Sequence, residues 1–330
     1  NRRHQYPFIT CTNCGPRYSI IRKLPYDRDL TSMSAIPACE ICMEEYEDPE
    51  DRRFYSQTNS CPHCSINLSL YNCEKKKQYL EINTIFDIVS EAILSGKIVA
   101  IKGIGGYLLC ADSTSEEAIR TIRSRKKRPS KPFALMYPDI DTAKQDVLVN
   151  EEIISAWESP ESPIILCPLK KDFSSDLKID AIAPGLRKMG IMMPYAPLFA
   201  MLMERIKKPI IATSGNVSGS PIIYEDEAAL EVLSEFADYI LVNNREILVP
   251  QDDSVVQYAN NSKLRILLRR SRGMSPSFNT DHKLDSDLRV LAMGAMLKST
   301  FGITHQKRYY ISKFLGDTRI LESQLSYEAT

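Results

Sequence analysis

Three cysteine pairs spaced C-x-x-C, Cys11/Cys14, Cys39/Cys42 and Cys61/Cys64, constrain the N-terminal part of this 330-residue chain more tightly than any other feature. One such pair wraps two thiolates around a metal ion, and a second pair closes the tetrahedron. Cys39-x2-Cys42-x18-Cys61-x2-Cys64 has that arrangement. A structural zinc site is expected there, the ion replacing a hydrophobic core too small for the segment to build. Chance spacing of buried core cysteines is the plain alternative. Cys11 and Cys14 are left without mates. If the spacing of 18 repeats, their partners lie upstream of Asn1; shared ligation with Cys39/Cys42 or Cys61/Cys64 is the other arrangement.

Cys73, Cys110 and Cys167 stand alone, and the last two read as core thiols. No apolar segment follows the charges of "NRRHQYPFIT", and no run approaches the ~20 apolar residues of a membrane span. A cytoplasmic chain with metal-bound rather than disulfide-bonded cysteines follows. The absence of a starting methionine reads as a fragment or a processed piece. Residues 1–72 carry eight Lys/Arg against nine Asp/Glu, so this region lacks the basic stripe that phosphate neutralisation needs. The whole chain is balanced at 42 of each sign, which disfavours a nucleic-acid coat.

The polar run "NCEKKKQ", Asn72 to Gln78, reads as a linker. Beyond it Ile85, Ile88, Val89, Ala92 and Ile93 recur at helical spacing, with Asn83 or Thr84 as the starting cap and Gly96 as the end. "KIVAIKG" reads as a buried strand. "STSEEAIRTIRSRKKR" reads as a helix opened by a capping box of Ser113 and Glu116. Strands are expected at "PIIATSG", "DYILVNN", "DSVVQYA" and "RILLRR", and helices near Leu198–Lys207 and Ala228–Phe236. Helices and strands mix without strict alternation, so the fold class is α/β (α+β) with a twisted mixed sheet. "SPSFNTDHKLDSD", Ser275 to Asp287, reads as a second linker before a strand–turn–strand unit that stops at Thr330.

"SRKKRPSKPF" gathers Arg125, Lys126, Lys127, Arg128 and Lys131 in ten residues. Cations at a helix end meet the negative end of its dipole, which is the bland reading. Pro129 and Pro132, however, fix where Arg128 and Lys131 point. "KGIGGY", Lys102 to Tyr107, follows a strand with glycines that let backbone N–H groups approach a ligand, though it is neither a Walker A loop nor a full dinucleotide fingerprint. "ATSGNVSG" places Ser214 and Asn216 at the end of another strand, where short polar side chains suit a nucleotide or a small planar acid. "DDSVVQ" and "RRSRG" supply Ser254, Arg269, Arg270 and Arg272, each of which reads equally as a surface group.

Taken together, "YPFITCTNCGPRYSIIRKLPYDR", "CEICMEEYEDPEDRRFYSQ", "VAIKGIGGYLLCAD", "RSRKKRPSKPFALM", "ATSGNVSGSPI", "DDSVVQ", "RRSRGMSP" and "LAMGAMLKSTF" resemble, in order along nearly the whole chain, the HypF carbamoyltransferases of NiFe-hydrogenase maturation. That family has an acylphosphatase domain, a double zinc-finger region, a YrdC-like domain and a carbamoyltransferase domain of the actin-like ATPase type. The spacings 24 and 18 match its last three cysteine pairs. The resemblance therefore implies a truncated finger region at 1–72, a YrdC-like nucleotide-binding domain at 83–275 and the first strands of the last domain at 288–330, without the acylphosphatase domain. It implies that carbamoyl phosphate yields carbamate, which the YrdC-like domain adenylates with ATP and Mg²⁺, and that the carbamoyl group then passes to the C-terminal cysteine of HypE.

The family's K-x-R and S-x-N sets map onto Lys126, Arg128, Ser214 and Asn216, with Lys102, Tyr107, Lys131, Ser254 and Arg272 as pocket lining. Fixed cations ease attack of one anion on another and stabilise charge on the phosphoryl oxygens. "FYSQ", "CPHCSI" and "SKFLGD" depart from the family pattern, the last making the start of the third unit atypical. A threonylcarbamoyl-adenylate synthase acting for tRNA is the alternative enzyme, and a zinc-dependent scaffold or nucleic-acid-binding module the alternative without chemistry.

Overall fold

The computed structural model describes every residue except 1, 11, 13, 14, 65, 79, 174, 218, 260–262, 277–283, 286, 297, 298, 329 and 330. Cys11 and Cys14 thus lie outside the described residues, as do His282 and much of the expected second linker.

Runs of β-branched and apolar residues become strands that share one mixed sheet. They are β1 (Leu68–Asn72), β2 (Lys77–Gln78), β3 (Val99–Lys102), β4 (Tyr107–Asp112), β5 (Ala134–Met136), β6 (Ile164–Pro168), β7 (Lys188–Met192), β8 (Ile210–Ser214), β9 (Tyr239–Asn243), β10 (Val255–Tyr258) and β11 (Arg265–Arg269). Across this 11-stranded sheet the order is β11-β10-β6-β7-β5-β8-β4-β3-β9-β1-β2. The pairs β3–β9, β5–β7 and β6–β10 are parallel and the others antiparallel.

Alternate residues of one strand face opposite sides of a sheet. In β3 and β4, Val99, Ile101, Leu108 and Cys110 join one core, and Ala100, Tyr107, Leu109 and Ala111 join the other. The first core takes in α2 (Ile82–Leu94, after α1, Glu40–Glu47); the second takes in α3 (Glu116–Arg125), α4 (Ile140–Asp146) and α5 (Glu151–Glu158). The helices α6 (Ile179–Ile182), α7 (Pro197–Ile206) and α8 (Asp226–Val232) follow, α7 packing beside α2. Beyond residue 284 lie β12 (Leu291–Ala292), β13 (Gly302–His305), β14 (Arg308–Ile311) and α9 (Leu321–Glu328). Among the described residues no helix is long and apolar enough to cross a membrane.

Several local expectations are corrected. The run Asn72–Gln78 is not a free linker: β1 pairs with β9 through Leu68↔Asn243 to Asn72↔Tyr239, and β2 pairs with β1. The N-terminal segment is not held by metal alone. Tyr6, Phe8, Ile20, Met33 and Ile36 are buried in the same core as α2 and α7, so the segment borrows a core from the sheet. Ser115, not Ser113, caps α3, accepting from Ala118 N at 3.2 Å, while Ser113 Oγ donates to Pro209 O at 2.6 Å. Helix α2 begins one residue ahead of Asn83, without a side-chain cap. Gly96 does end it, at φ +84°, donating to Ile93 O at 3.0 Å. Arg270 and Arg272 are buried rather than surface groups.

Candidate functional site

Helix α3 stops because Lys127 adopts the left-handed conformation at φ +49°. A single such residue past the last turn is a usual way to end a helix. The reversal leaves Lys126 pointing into the protein, fully buried, and Arg128 half-buried beside it. The Lys126 ammonium donates to Ser214 O at 2.5 Å, to Asn216 O at 2.7 Å and to Asn216 Oδ1 at 2.6 Å. The end of α3 and the loop after β8 are therefore in direct contact, and all three ammonium donors go to the Ser–Gly–Asn turn.

That turn is held from the other side by the sheet. Gly215 N donates to Tyr107 O at 2.6 Å, and Ile223 N to Gly215 O at 2.9 Å. A side chain at residue 215 would put Cβ 2.9 Å from Tyr107 O and 2.8 Å from Tyr107 Cβ, so only glycine fits. Ser214 Oγ donates to Asn216 Oδ1 at 2.9 Å, and Asn216 Nδ2 donates to Ser220 O.

Arg128 reaches the same strand end, Nη1 donating to Thr213 Oγ1 at 3.3 Å, and its guanidinium lies 5.0 Å from the Phe133 ring centroid. The exposed Lys131 is close enough that its charge bears on Lys126. Burial, then the neighbouring Arg128, pull the Lys126 ammonium down to about 7, with Asp252 opposing and Lys131 adding to the fall. Burial and Arg123 bring Arg128 down to about 10. Two residues that the motifs did not flag belong to this field. Asp252, 10% exposed, lies 3.7 Å from Arg269 Nη1. Lys313, from the segment beyond β14, donates to Pro250 O at 2.6 Å and is lowered to about 8 by burial. The result is a cluster of part-exposed cations, Arg128, Arg269 and Lys313, with the buried Lys126 beneath them and a carboxylate among them, a field that favours a polyanion.

The remaining expected lining residues divide. Lys102 and Tyr107 meet on Asp226: Lys102 Nζ lies 2.6 Å from Asp226 Oδ1, and Tyr107 Oη donates to the same oxygen at 2.7 Å. Lys102 also donates to Asn243 O at 3.0 Å. Ser254 and Arg272 serve the frame. Ser254 Oγ donates to Arg272 O at 2.8 Å and accepts from Ser271 N at 2.9 Å. Arg272 donates to Asp253 Oδ1 at 2.7 Å, Glu161 O at 3.1 Å and Ser162 O at 3.0 Å, and lies 3.6 Å from the Tyr195 ring centroid. Asp226 had no local pattern to announce it; Asp252 opens the "DDSVVQ" run and Lys313 lies within "SKFLGD", but neither run singled them out.

The second site is the cysteine tetrad. The Sγ atoms of Cys39, Cys42, Cys61 and Cys64 lie within 4.8 Å of one another. Cys39–Cys61 and Cys61–Cys64 are 3.8 and 3.7 Å apart. Four thiolates at ~2.3 Å from a tetrahedral ion stand about 3.8 Å from each other, so the set fits a metal ion. Arg3 Nη2 donates to Cys42 Sγ at 3.3 Å and Cys39 N to Cys64 Sγ at 3.1 Å, which offsets thiolate charge. The four gather among themselves, as the spacing of 18 suggested. Cys110 and Cys167 are buried in the two cores.

Three stretches of the chain match known protein families. Residues 91–271 match the family model described as telomere recombination (Sua5, YciO and YrdC). Residues 1–21 and 38–71 match the HypF finger, and residues 285–330 the HypF Kae1-like domain. Over 328 residues the chain is 40% identical to the carbamoyltransferase HypF of Synechocystis sp., covering 99% of this chain and 42% of that protein. Among solved structures, T. kodakarensis HypF superposes with a TM-score of 0.92 at 38% identity, and full-length HypF in its phosphate- and nucleotide-bound form with 0.89 at 40%. Each superposition covers 100% of this chain and 42% of the other. The threonylcarbamoyl-AMP synthase of Photobacterium profundum is more distant, 28% identical over 141 residues, or 40% of this chain and 72% of that protein. The chain spans 42% of the Synechocystis protein's length.

Proposed function

This chain belongs to the HypF carbamoyltransferase family, and from that premise we propose that its central domain joins carbamate to AMP, consuming ATP and releasing pyrophosphate. The observation that carries the reading is the three-pronged contact of Lys126 with the Ser214–Asn216 turn, set among Arg128, Arg269 and Lys313.

Attack of a carbamate oxygen on the α-phosphorus brings two anions together, and fixed positive groups lower that barrier. Little covalent chemistry falls to the protein, so alignment decides the rate. Lys126 holds the turn and adds its charge from beneath. Arg128, beside Thr213, faces the phosphates together with Lys131, and the half-exposed Ser214 with Asn216 receives the carbamate or the nucleotide. Lys102 and Tyr107, through Asp226, brace the strand ends below the pocket, and Ser254 with Arg272 fixes the strap that carries Asp252. Mg²⁺ bound to the triphosphate shares its charge.

The wider assignments rest on the family. The division is a finger region at 1–72, a YrdC-like domain at 83–275 and the start of the carbamoyltransferase domain at 288–330. Carbamoyl phosphate is the source of the carbamate. The carbamoyl group passes to the C-terminal thiol of HypE, in the cytoplasm. Zinc is the ion of the cysteine tetrad, since an all-thiolate tetrahedral set of this size suits it. Cys11 and Cys14 are zinc ligands by the same family pattern, with mates upstream of Asn1 or shared with the other two pairs.

ATP–pyrophosphate exchange tests the central claim. Exchange supported by carbamoyl phosphate, and not by threonine with bicarbonate, is expected. The opposite preference would place the chain with the threonylcarbamoyl-adenylate synthases. Exchange with neither, alongside salt-sensitive RNA binding, would favour a binding module.

A further inference from the structure

We infer that Lys313 is a further positioning residue of the central site, supplied by the segment after β14, and that a polyanion in the site and the docking of that segment strengthen one another. The inference rests on the reading that the site takes a phosphate chain. Residues 311–323 touch three stretches around that site. Lys313 Nζ donates to Pro250 O at 2.6 Å, and Gln251, next in the chain, donates through its main-chain N to Gly105 O at 2.8 Å. Phe314 N donates to Arg270 O at 2.7 Å, Arg270 Nη1 donates to Ile311 O at 2.9 Å, and the Arg269 guanidinium lies 5.3 Å from the Phe314 ring centroid. Farther on, Ser323 Oγ donates to Gly219 O at 3.4 Å. A Cβ at residue 219 would stand 2.2 Å from Ile320 Cδ1, so the isoleucine sits where only glycine leaves room. Gly219 lies in the loop that Lys126 holds at its other end through Asn216, and Asn216 Nδ2 donates across that loop to Ser220 O.

Apolar seating alone would not couple the segment to a ligand; charge does. Asp252 is a carboxylate that bears on Lys126, Arg128 and Lys313 together, and Arg269 Nη1 stands 3.7 Å from it. Docking adds the Lys313 ammonium to this positive surplus, and like charges gathered in a half-buried place oppose it. A bound polyanion reverses the sign of that cost. An ammonium has three donors, and among the described residues the acceptor that meets this one is Pro250 O, so donors remain for a phosphoryl oxygen. A ligand that binds the docked arrangement more tightly must favour docking by the same factor.

The test uses inorganic pyrophosphate and the full chain, with affinity read by calorimetry and docking by amide exchange over residues 311–323. Pyrophosphate is expected to bind the wild type and to slow exchange across that segment. In Lys313→Gln its affinity should fall about tenfold, within the usual range for coupled sites, and the added protection should disappear. Lys313→Arg keeps the charge and should restore both. Ile320→Ala removes no charge but loosens the seat on Gly219, so it too should weaken pyrophosphate binding. Affinity and protection in Lys313→Gln equal to the wild type, failure of Lys313→Arg to restore them, or unchanged affinity in Ile320→Ala would overturn the inference and leave the polyanion reading intact. Absence of pyrophosphate binding to the wild type would overturn both.

Discussion

Lys126 and Asn216 are joined twice, the ammonium donating at 2.7 Å to the main-chain oxygen and at 2.6 Å to Oδ1. A side chain from the end of α3 thus sets the shape of a turn at the end of β8. The pairing makes Lys126 a positioning group as well as a charge.

Lys126→Met keeps much of the stem's volume and removes the donors. Leaving buried acceptors unmet should cost about 2–3 kcal/mol in urea unfolding. Exchange activity should fall by about 10²–10³-fold, the range seen when one preorganised electrostatic contact is lost. Arg128→Ala should lose activity to a similar degree with smaller destabilisation, since Arg128 is half-buried. Unchanged exchange in both variants would remove the pair from the mechanism.

The same lysine makes stability depend on pH. In the unfolded chain its proton is held to about 10.4; in the folded chain it is held to about 7. Between these values the native state binds fewer protons than the unfolded state, so stability rises with pH and is lost as pH falls through 7. Unfolding of wild type and Lys126→Met, compared from pH 6 to 9, should show the wild type gaining on the variant as pH rises. A constant difference would contradict the assignment.

Residue 127 carries the left-handed conformation that ends α3, at φ +49°. Lys127→Gly should be neutral or slightly stabilising. Lys127→Val should cost about 1–2 kcal/mol, because a β-branched side chain resists that conformation. Exchange should fall with Val, whose strain redirects Arg128, and persist with Gly; equal behaviour of the two would show that this backbone geometry is unimportant.

At Gly215 a methyl group would meet the Tyr107 backbone at 2.9 Å. Gly215→Ala is expected to destabilise by about 1–3 kcal/mol through overpacking and to raise the KM for ATP more than a surface change would. A full-activity, full-stability variant would mean that the turn relaxes without consequence.

Removing the metal should loosen the N-terminal segment while sparing the sheet. Cys61→Ser should lower bound zinc by one equivalent in mass-spectrometric metal analysis. Amide protection should fall over residues 38–64, because metal binding and folding are coupled in such sites. Protection in β3, β4 and β8 should persist; collapse of all three would show that the two parts fold as one.

Much of this was legible in short stretches. "KIVAIKG" reads as a strand because β3 is buried on both faces. The cysteine spacing foretold the tetrad because two tight turns suffice to bring four thiolates together. The cation-rich stretch around Lys126 stood out by composition, and the family resemblance supplied the K-x-R and S-x-N assignments. The β1–β2 hairpin did not: its polar residues look like a linker, and its partner β9 lies far along the chain. Ser113 passed for a cap because its spacing to Glu116 was right, yet its hydroxyl goes to Pro209.

From the sequence alone came β3, β8–β11, the helices α2, α3, α7 and α8, the cysteine tetrad and the clustered cations, since each depends on neighbours a few residues away. The tertiary structure decided that Lys126 spends its donors on the turn, that Ser254 hydrogen-bonds the Arg272 main chain and Arg272 the Asp253 carboxylate, and that Arg269 lies beside Asp252 and Lys313 on Pro250. Those outcomes depend on sheet register and on how α3, β8 and the segment after β14 meet. Contacts between groups so distant in the chain are selected by packing and charge balance in the folded molecule, and no local pattern records them.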